Sequence, residues 1–224
     1  MAGGSVIESL EQVEASYDAV ADEYVRRISG ELASKPFDRA LLDRFAARFA
    51  AGDRVAELGC GPGHVARYLH QRGVAMSGWD LSGALVDAAR RLNPDIAFHC
   101  CDFRHLPVPD GSWAGIVAFY SLIHLPVEEI VPTLCEWRRV LEPGGLLLVA
   151  VHLGGDSIHL AEWWGRRVDV TFRLFRAEDV RGHLEAAGFR IEECVERDPY
   201  PGVEAETRRL YVLASKPLAS TAER

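Results

Sequence analysis

The residues able to do chemistry in this chain gather where short apolar runs end in glycines or acids. The run Val55-Ala-Glu-Leu-Gly-Cys-Gly-Pro-Gly-His reaches an acid at Glu57 and then sets Gly59, Gly61 and Gly63 at alternate positions. Glycines let a backbone pass close beneath a ligand, and the helix start that follows offers free N–H groups to an anion. A dinucleotide fingerprint, Gly-x-Gly-x-x-Gly, would need a glycine where this chain has His64, so a pyrophosphate fits the turn poorly. A ligand with an amino-acid carboxylate and amine fits it better, with Glu57 placed to offer charge to an ammonium. Trp79-Asp80-Leu81-Ser82 ends the next apolar run. An acid there can accept both hydroxyls of a ribose, as its counterpart does in dinucleotide folds.

Histidine is the natural base near neutral pH, and the chain has eight. His124, in Ser121-Leu-Ile-His-Leu-Pro, follows the fourth apolar run, and His152 ends the fifth. His64, His70, His99, His105 and His183 read as structural or solvated. The cluster His99-Cys100-Cys101-Asp102-Phe103-Arg104-His105 has the side chains of a metal site but not its spacing, because adjacent strand residues point to opposite faces. No metal is expected.

These groups need a scaffold that brings strand ends together. Strands are expected at Val55–Leu58, Ala75–Asp80, Ile96–Cys101, Trp113–Tyr120 and Leu146–His152, alternating with helices at Gly63–Arg72, Ser82–Arg91 and Val127–Leu141. Such alternation implies a parallel sheet covered by helices on both faces, with ligands at the carboxyl ends of the strands. A helix over Ala177–Ala187 precedes strands at Arg190–Glu196 and Arg208–Ser215, which have no helix between them and so pair antiparallel. The expected fold is α/β, a single doubly wound sheet of seven strands. It is mostly parallel, with one antiparallel strand near the C-terminus. Helices over Val13–Arg27 and Phe37–Phe49 have no strand partner and cap the sheet edge. We therefore divide the chain into a cap or lid (1–52), a ligand-binding domain continuous with it (53–217) and a loose tail (218–224).

Glu57-Leu-Gly-Cys-Gly-Pro-Gly resembles motif I of the class I S-adenosylmethionine-dependent methyltransferases, and the likeness runs from about Tyr17 to Pro217. The resemblance implies S-adenosylmethionine as cofactor, with S-adenosylhomocysteine as product and no metal. It implies cofactor contacts from Glu57, Gly59, Cys60, Gly61, Gly63, Asp80 and Leu81. Asp102 would accept from the adenine amine, the Phe103 N–H would reach the ring, and the Tyr120–Ser121 backbone would face the methionine amine. Tyr17-Asp-Ala-Val-Ala-Asp-Glu-Tyr24 is similar to the family's lid, whose aromatic hydroxyls approach the cofactor carboxylate; this names Tyr17 and Tyr24. His124 lies where the methyl would point and is the candidate base. His152, His159, Trp163 and Trp164 are the candidate acceptor contacts, because segment 153–175 lies between the fifth strand and the next helix on the cofactor side. Arg166 and Arg167 in that segment could hold an anionic group.

Composition narrows the acceptor. The net charge is −8, and Lys and Arg never run beyond a pair, which argues against nucleic acid or an anionic membrane as the main partner. A small-molecule acceptor, methylated on oxygen or nitrogen, is expected. The alternatives are a nucleic-acid or protein methyltransferase, an NAD(P)-dependent oxidoreductase and a non-catalytic cofactor-binding protein. Five cysteines without framework spacing, no signal-like leader and no run of 18 apolar residues suggest a reduced, cytoplasmic protein, a monomer or homodimer.

Overall fold

The computed structural model describes residues 9–218, so most of the expected tail, from residue 219 on, lies outside the described residues. Among the described residues nine strands form, β1 (Arg54–Leu58), β2 (Ala75–Asp80), β3 (Ala97–Cys100), β4 (Trp113–Phe119), β5 (Leu141–Leu153), β6 (Ile158–Trp163), β7 (Arg166–Phe172), β8 (Arg190–Arg197) and β9 (Arg208–Ser215). The helices are α1 (Leu10–Ile28), α2 (Pro36–Ala46), α3 (His64–His70), α4 (Gly83–Leu92), α5 (Val127–Val140) and α6 (Ala177–Ala186). Seven strands make one sheet in the order β3-β2-β1-β4-β5-β9-β8. β1 through β5 pair in parallel, and β9 is the reversed strand, held antiparallel between β5 and β8. The strand order reverses beside β1, so the ends of β1 and β4 open onto the crevice where this fold class binds ligands.

Apolar patterning explains the layers. Val55, Ala56 and Leu58 of β1 are wholly buried, as are Ile116, Val117 and Ala118 of β4. Alternate side chains enter two separate cores, one packed on α5 and α6, the other on α2, α3 and α4. Local chemistry sets the helix starts: Ser82 caps α4 by accepting from Leu85 N, and Ser9 with Gln12 forms a capping box on α1. No helix among the described residues is long and apolar enough to cross a membrane.

Segment 153–175 carried no element in the sequence reading; it forms a hairpin of β6 and β7. Its two turn residues, Trp164 and Gly165, both have positive φ (52° and 77°), the geometry that matches strand twist in two-residue hairpin turns. The hairpin has no place in the main sheet. Val168 and Val170 instead pack on Val20 of α1, and Ser16 Oγ bridges both the N–H and the carbonyl of Asp169 at 3.0 and 3.1 Å.

α2 is fastened to the far end of the sheet by ions. Arg197 on β8 donates to Asp38 of α2 at 2.8 Å and to Glu204 at 2.7 and 2.8 Å, while the Tyr211 hydroxyl donates to Asp38 at 2.8 Å. Breaking a buried pair leaves an uncompensated charge, so Arg197→Met should destabilise the protein by about 3–5 kcal/mol in denaturant titration. Burial works to raise the Glu204 carboxyl, but its bonds to Arg197 and the Tyr200 N–H bring it from 4.5 down to about 2. A depressed carboxylate stabilises the fold above its ordinary pKa and loses that effect as pH falls through the folded value. Stability should therefore fall between about pH 4.5 and pH 2 in wild type, and less in Glu204→Gln.

Candidate active site

Two adjoining lobes form one cleft over the carboxyl ends of β1, β2 and β4, and they share Tyr17, Tyr24, Gly59, Gly61, Phe119 and Tyr120. The outer lobe, about 80 Å³, adds Asp80, Leu81, Phe103, Ser121 and His124. The inner lobe, about 410 Å³, adds Glu57, Cys60, His152, Trp163 and Trp164, a size typical of ligand pockets. A shallower hollow of about 760 Å³ lies beside β2 and β3, lined by Trp79, His99 and Trp113, and contains none of the glycine turn.

The turn after β1 is shaped by close approach. Gly59 has φ +72°, and a Cβ there would sit 2.4 Å from the Cβ of Ser121 at the end of β4. Asp80 at the tip of β2 ties the turn down, accepting from Gly61 N at 2.7 Å and from Ser82 N at 2.9 Å. Burial raises the Asp80 pKa, and those two amides oppose the rise. Glu57, only 2% exposed, reaches across to α3 and accepts from Ala66 N at 2.7 Å. Burial pushes its carboxyl well above 4.5, and the nearby Asp80 charge adds to the rise. Ser121 Oγ is buried without a hydrogen-bond partner among the described residues.

The helix α1 lies along the cleft. The Tyr17 hydroxyl and His124 Nε2 lie 2.8 Å apart, and His124 Nδ1 lies 3.0 Å from the Thr171 carbonyl. A carbonyl only accepts, so Nδ1 carries the proton and Nε2 accepts from Tyr17. Burial lowers the His124 pKa from 6.5 to about 4, so the ring is neutral at physiological pH. Rings of Tyr17, Tyr24 and Trp163 meet edge to face at 5.5–5.8 Å. Tyr120, at the end of β4, has φ +57°, an uncommon conformation for a non-glycine residue. Its ring stacks on His152 at 4.6 Å, and its hydroxyl lies 3.1 Å from that of Tyr211.

Several expected contacts fall elsewhere. Gly63 lies on neither lobe; a Cβ there would meet the Phe98 ring at 2.5 Å, so this glycine serves packing of α3 on the sheet. The Cys60 side chain turns into the core, leaving its backbone to the cleft. Asp102 lines neither lobe and is held by Arg104, whose Nε and Nη2 donate to it at 2.9–3.1 Å. His159 is 56% exposed on the outer side of the hairpin, near Asp169 and Thr171. Arg166 and Arg167 are exposed as well. In the other direction, Glu31, Lys35, His64, Glu204, Thr207 and Arg209 line the inner lobe, and sequence reasoning had assigned none of them to it. His64 binds Glu31 at 3.2 Å. The available signal was charge inside otherwise apolar segments, as in Arg208-Arg-Leu-Tyr-Val-Leu.

The donor set can be tested against an adenosyl amino acid. A left-handed glycine turn pressed on β4, a strand-tip acid with lone pairs left after two backbone bonds, and an unpaired serine hydroxyl all suit that ligand. Fold and cleft thus define a doubly wound α/β protein with a cleft at its switch point, where this fold class binds ligands. A family profile described as a methyltransferase domain matches residues 55–145. Demethylmenaquinone methyltransferase of Beutenbergia cavernae is 34% identical over 142 residues, 62% of this chain and 57% of that protein. An S-adenosylmethionine-dependent methyltransferase of Methanosarcina mazei superposes with a TM-score of 0.71 at 16% identity, over 79% of this chain and 98% of its own. A (4+2)-cyclase, SpnF, gives 0.71 at 20% identity over 97% and 100%. These structures bear on the fold alone. Residues 55–145 thus match a methyltransferase domain, and the fold is shared with solved S-adenosylmethionine-dependent methyltransferases. It spans about half the length of the curated relatives it matches.

The close approach at Gly59 makes a direct test. Gly59→Ala should lose at least about 1–2 kcal/mol from the left-handed backbone alone, read by chemical denaturation, before any overlap with Ser121 is counted.

Proposed function

We propose that the protein transfers a methyl group from S-adenosylmethionine to oxygen or nitrogen of a small molecule. The observation that carries this reading is the Asp80 carboxylate at the glycine turn, oriented by Gly61 and Ser82 with lone pairs left for a ribose. Bound there, the cofactor supplies a methyl group on a sulfonium, which is already a good leaving group. Leu81 and Phe103 then flank the adenine, and Asp102 serves it only by exchanging its contact with Arg104. Ser121 and the Tyr120 backbone hold the methionine amine, and an ammonium in the cleft favours an ionised Glu57. The acceptor named for the Beutenbergia relative and the net charge of −8 both support a small molecule over a nucleic acid.

The chain's own contribution is alignment in a closed cleft, which can supply effective molarities of about 10⁵–10⁸ M. A proton leaving the acceptor passes to His124 Nε2 by way of the Tyr17 hydroxyl, because that hydroxyl covers the nitrogen. Proton removal of this kind contributes about 10²- to 10⁴-fold.

Calorimetry with S-adenosylmethionine and S-adenosylhomocysteine tests the reading directly: both should bind wild type, and Asp80→Asn should bind about 1–3 kcal/mol more weakly. Failure of wild type to bind either compound would end it. Tyr17→Phe and His124→Ala should each lower turnover while leaving cofactor affinity nearly unchanged. The base is competent in its unprotonated form, which persists until pH falls through about 4, so turnover should show no acidic loss between pH 8 and 5 attributable to His124. A limb near 6.5 that His124→Ala abolishes would assign the ring an ordinary pKa and contradict its enclosure.

A further inference from the structure

The inner lobe extends beyond the glycine turn into a chamber that the cofactor reading leaves unused. Its walls are apolar: Leu160, Trp163, Phe172 and Leu174 from the hairpin side, and Val203 from the loop before β9. Its floor is polar, and its charges are already matched. Lys35 lies 2.8 Å from Glu31 and 3.5 Å from Glu204, and Arg209 Nε lies 3.5 Å from Glu204. The floor's two acids and two bases therefore cancel, and Asp38 and Arg197 cancel behind them. With Glu57 at the glycine turn left to the cofactor's ammonium, a charged guest at this floor would find no free counter-charge and would lose its hydration.

Among the polar groups of this lobe, His152 offers an open nitrogen beside the apolar walls. His152 is fixed on one ring face and at one nitrogen. It stacks on Tyr120 at 4.6 Å, and its Nδ1 lies 2.8 Å from Thr207 Oγ1. Its Nε2 has no hydrogen-bond partner among the described residues, in contrast to His124, whose two nitrogens are both engaged. Burial, with the charges of Arg209 and Lys35, lowers the His152 pKa to about 4, so the ring adds no charge. The Thr207 hydroxyl can donate to Nδ1 or accept from it, which leaves Nε2 either as acceptor or as donor. A hydroxyl serves both cases, because it donates and accepts. A carbonyl serves only one.

We propose that this chamber is the acceptor site and holds an uncharged, flat, apolar molecule anchored by a hydroxyl on His152 Nε2. Calling the guest an acceptor rests on the methyltransferase reading; its binding chemistry does not. The aromatic walls favour a ring edge to face with Trp163, and the hydroxyl supplies orientation. The anchoring hydroxyl need not be the methylated atom.

Calorimetry with three probes of one shape tests this at pH 7: 2-naphthol, 2-naphthoate and 2-naphthylmethylammonium, each with and without S-adenosylhomocysteine. The expected result is binding of 2-naphthol, with the anion and the cation each at least tenfold weaker. His152→Phe should weaken 2-naphthol about tenfold, the worth of one hydrogen bond, while His152→Gln restores most of it. S-adenosylhomocysteine affinity should be unchanged in both variants, which also reports that they fold. Equal binding of the charged probes, or undiminished 2-naphthol binding by His152→Phe, overturns the proposal. Loss of S-adenosylhomocysteine binding in wild type with the naphthol pattern intact would instead refute the methyltransferase reading and leave the chamber's chemistry standing.

Discussion

The cleft depends on carboxylates that cross a glycine turn to bind backbone amides. Asp80 reaches from β2 to Gly61, and Glu57 reaches from β1 to Ala66 in the first turn of α3. Each bond satisfies an amide that a ligand-facing turn or a helix start would otherwise leave unpaired. Each also fixes the turn against the sheet, so the turn stays open without side chains to prop it. Burial holds both carboxyls above their ordinary values, and a cationic guest relieves that strain more than a neutral one. The same two groups therefore build the turn and favour an ammonium-bearing ligand, which is why neither can be treated as a contact alone.

Over this turn lies α1, bound at both flanks. On one side Ser16 and Gln12 hold Asp169 of the hairpin; on the other Asp18 accepts from the Ser82 hydroxyl and from Ala84 N at the start of α4. Tyr17 spans the middle to His124. This helix is thus stretched between the separate hairpin and the start of α4. The hairpin owes its position to α1 rather than to the main sheet, since its buried residues Val168 and Val170 pack against Val20. Helix, hairpin and histidine form one closed unit.

The main sheet was legible in the sequence because its strands are continuous apolar runs and its helices have caps such as Ser82 and stops such as Gly188. Lack of a helix between the last two strands correctly implied a reversed strand, though not its insertion between β5 and β8. The hairpin was hidden for a physical reason. β6 and β7 are mostly exposed, with burial only at Val168 and Val170, so the period-2 signal is faint, and Trp164 occupies a turn position where glycine or asparagine is the usual signal. Asp80 and Gly59 line the cleft, as their places at the strand ends imply. Gly63 and Asp102 do not line it, and sequence could not tell them apart, because a glycine packed on Phe98 looks the same as one facing a ligand and an acid two residues from Arg104 looks free on paper.

The polar floor of the inner lobe shows why its residues escaped notice and why they matter. Lys35 belongs to the cap, Glu204 and Thr207 to a connecting loop, and Arg209 to a strand; no local pattern joins them. Only the insertion of β9 between β5 and β8 brings Arg209 beside His152, its register partner on β5. Tyr120 completes the arrangement from β4, in a left-handed conformation that costs about 1–2 kcal/mol for a residue with a Cβ. That conformation aligns the phenol ring with the imidazole face and keeps its hydroxyl on Tyr211. Strain of this kind persists where the surroundings over-determine it, and here they do so from three strands. A buried network whose charges cancel and whose open His152 nitrogen is held rigid selects by polarity and shape more than by net charge, a property that resides in the topology and in no single motif.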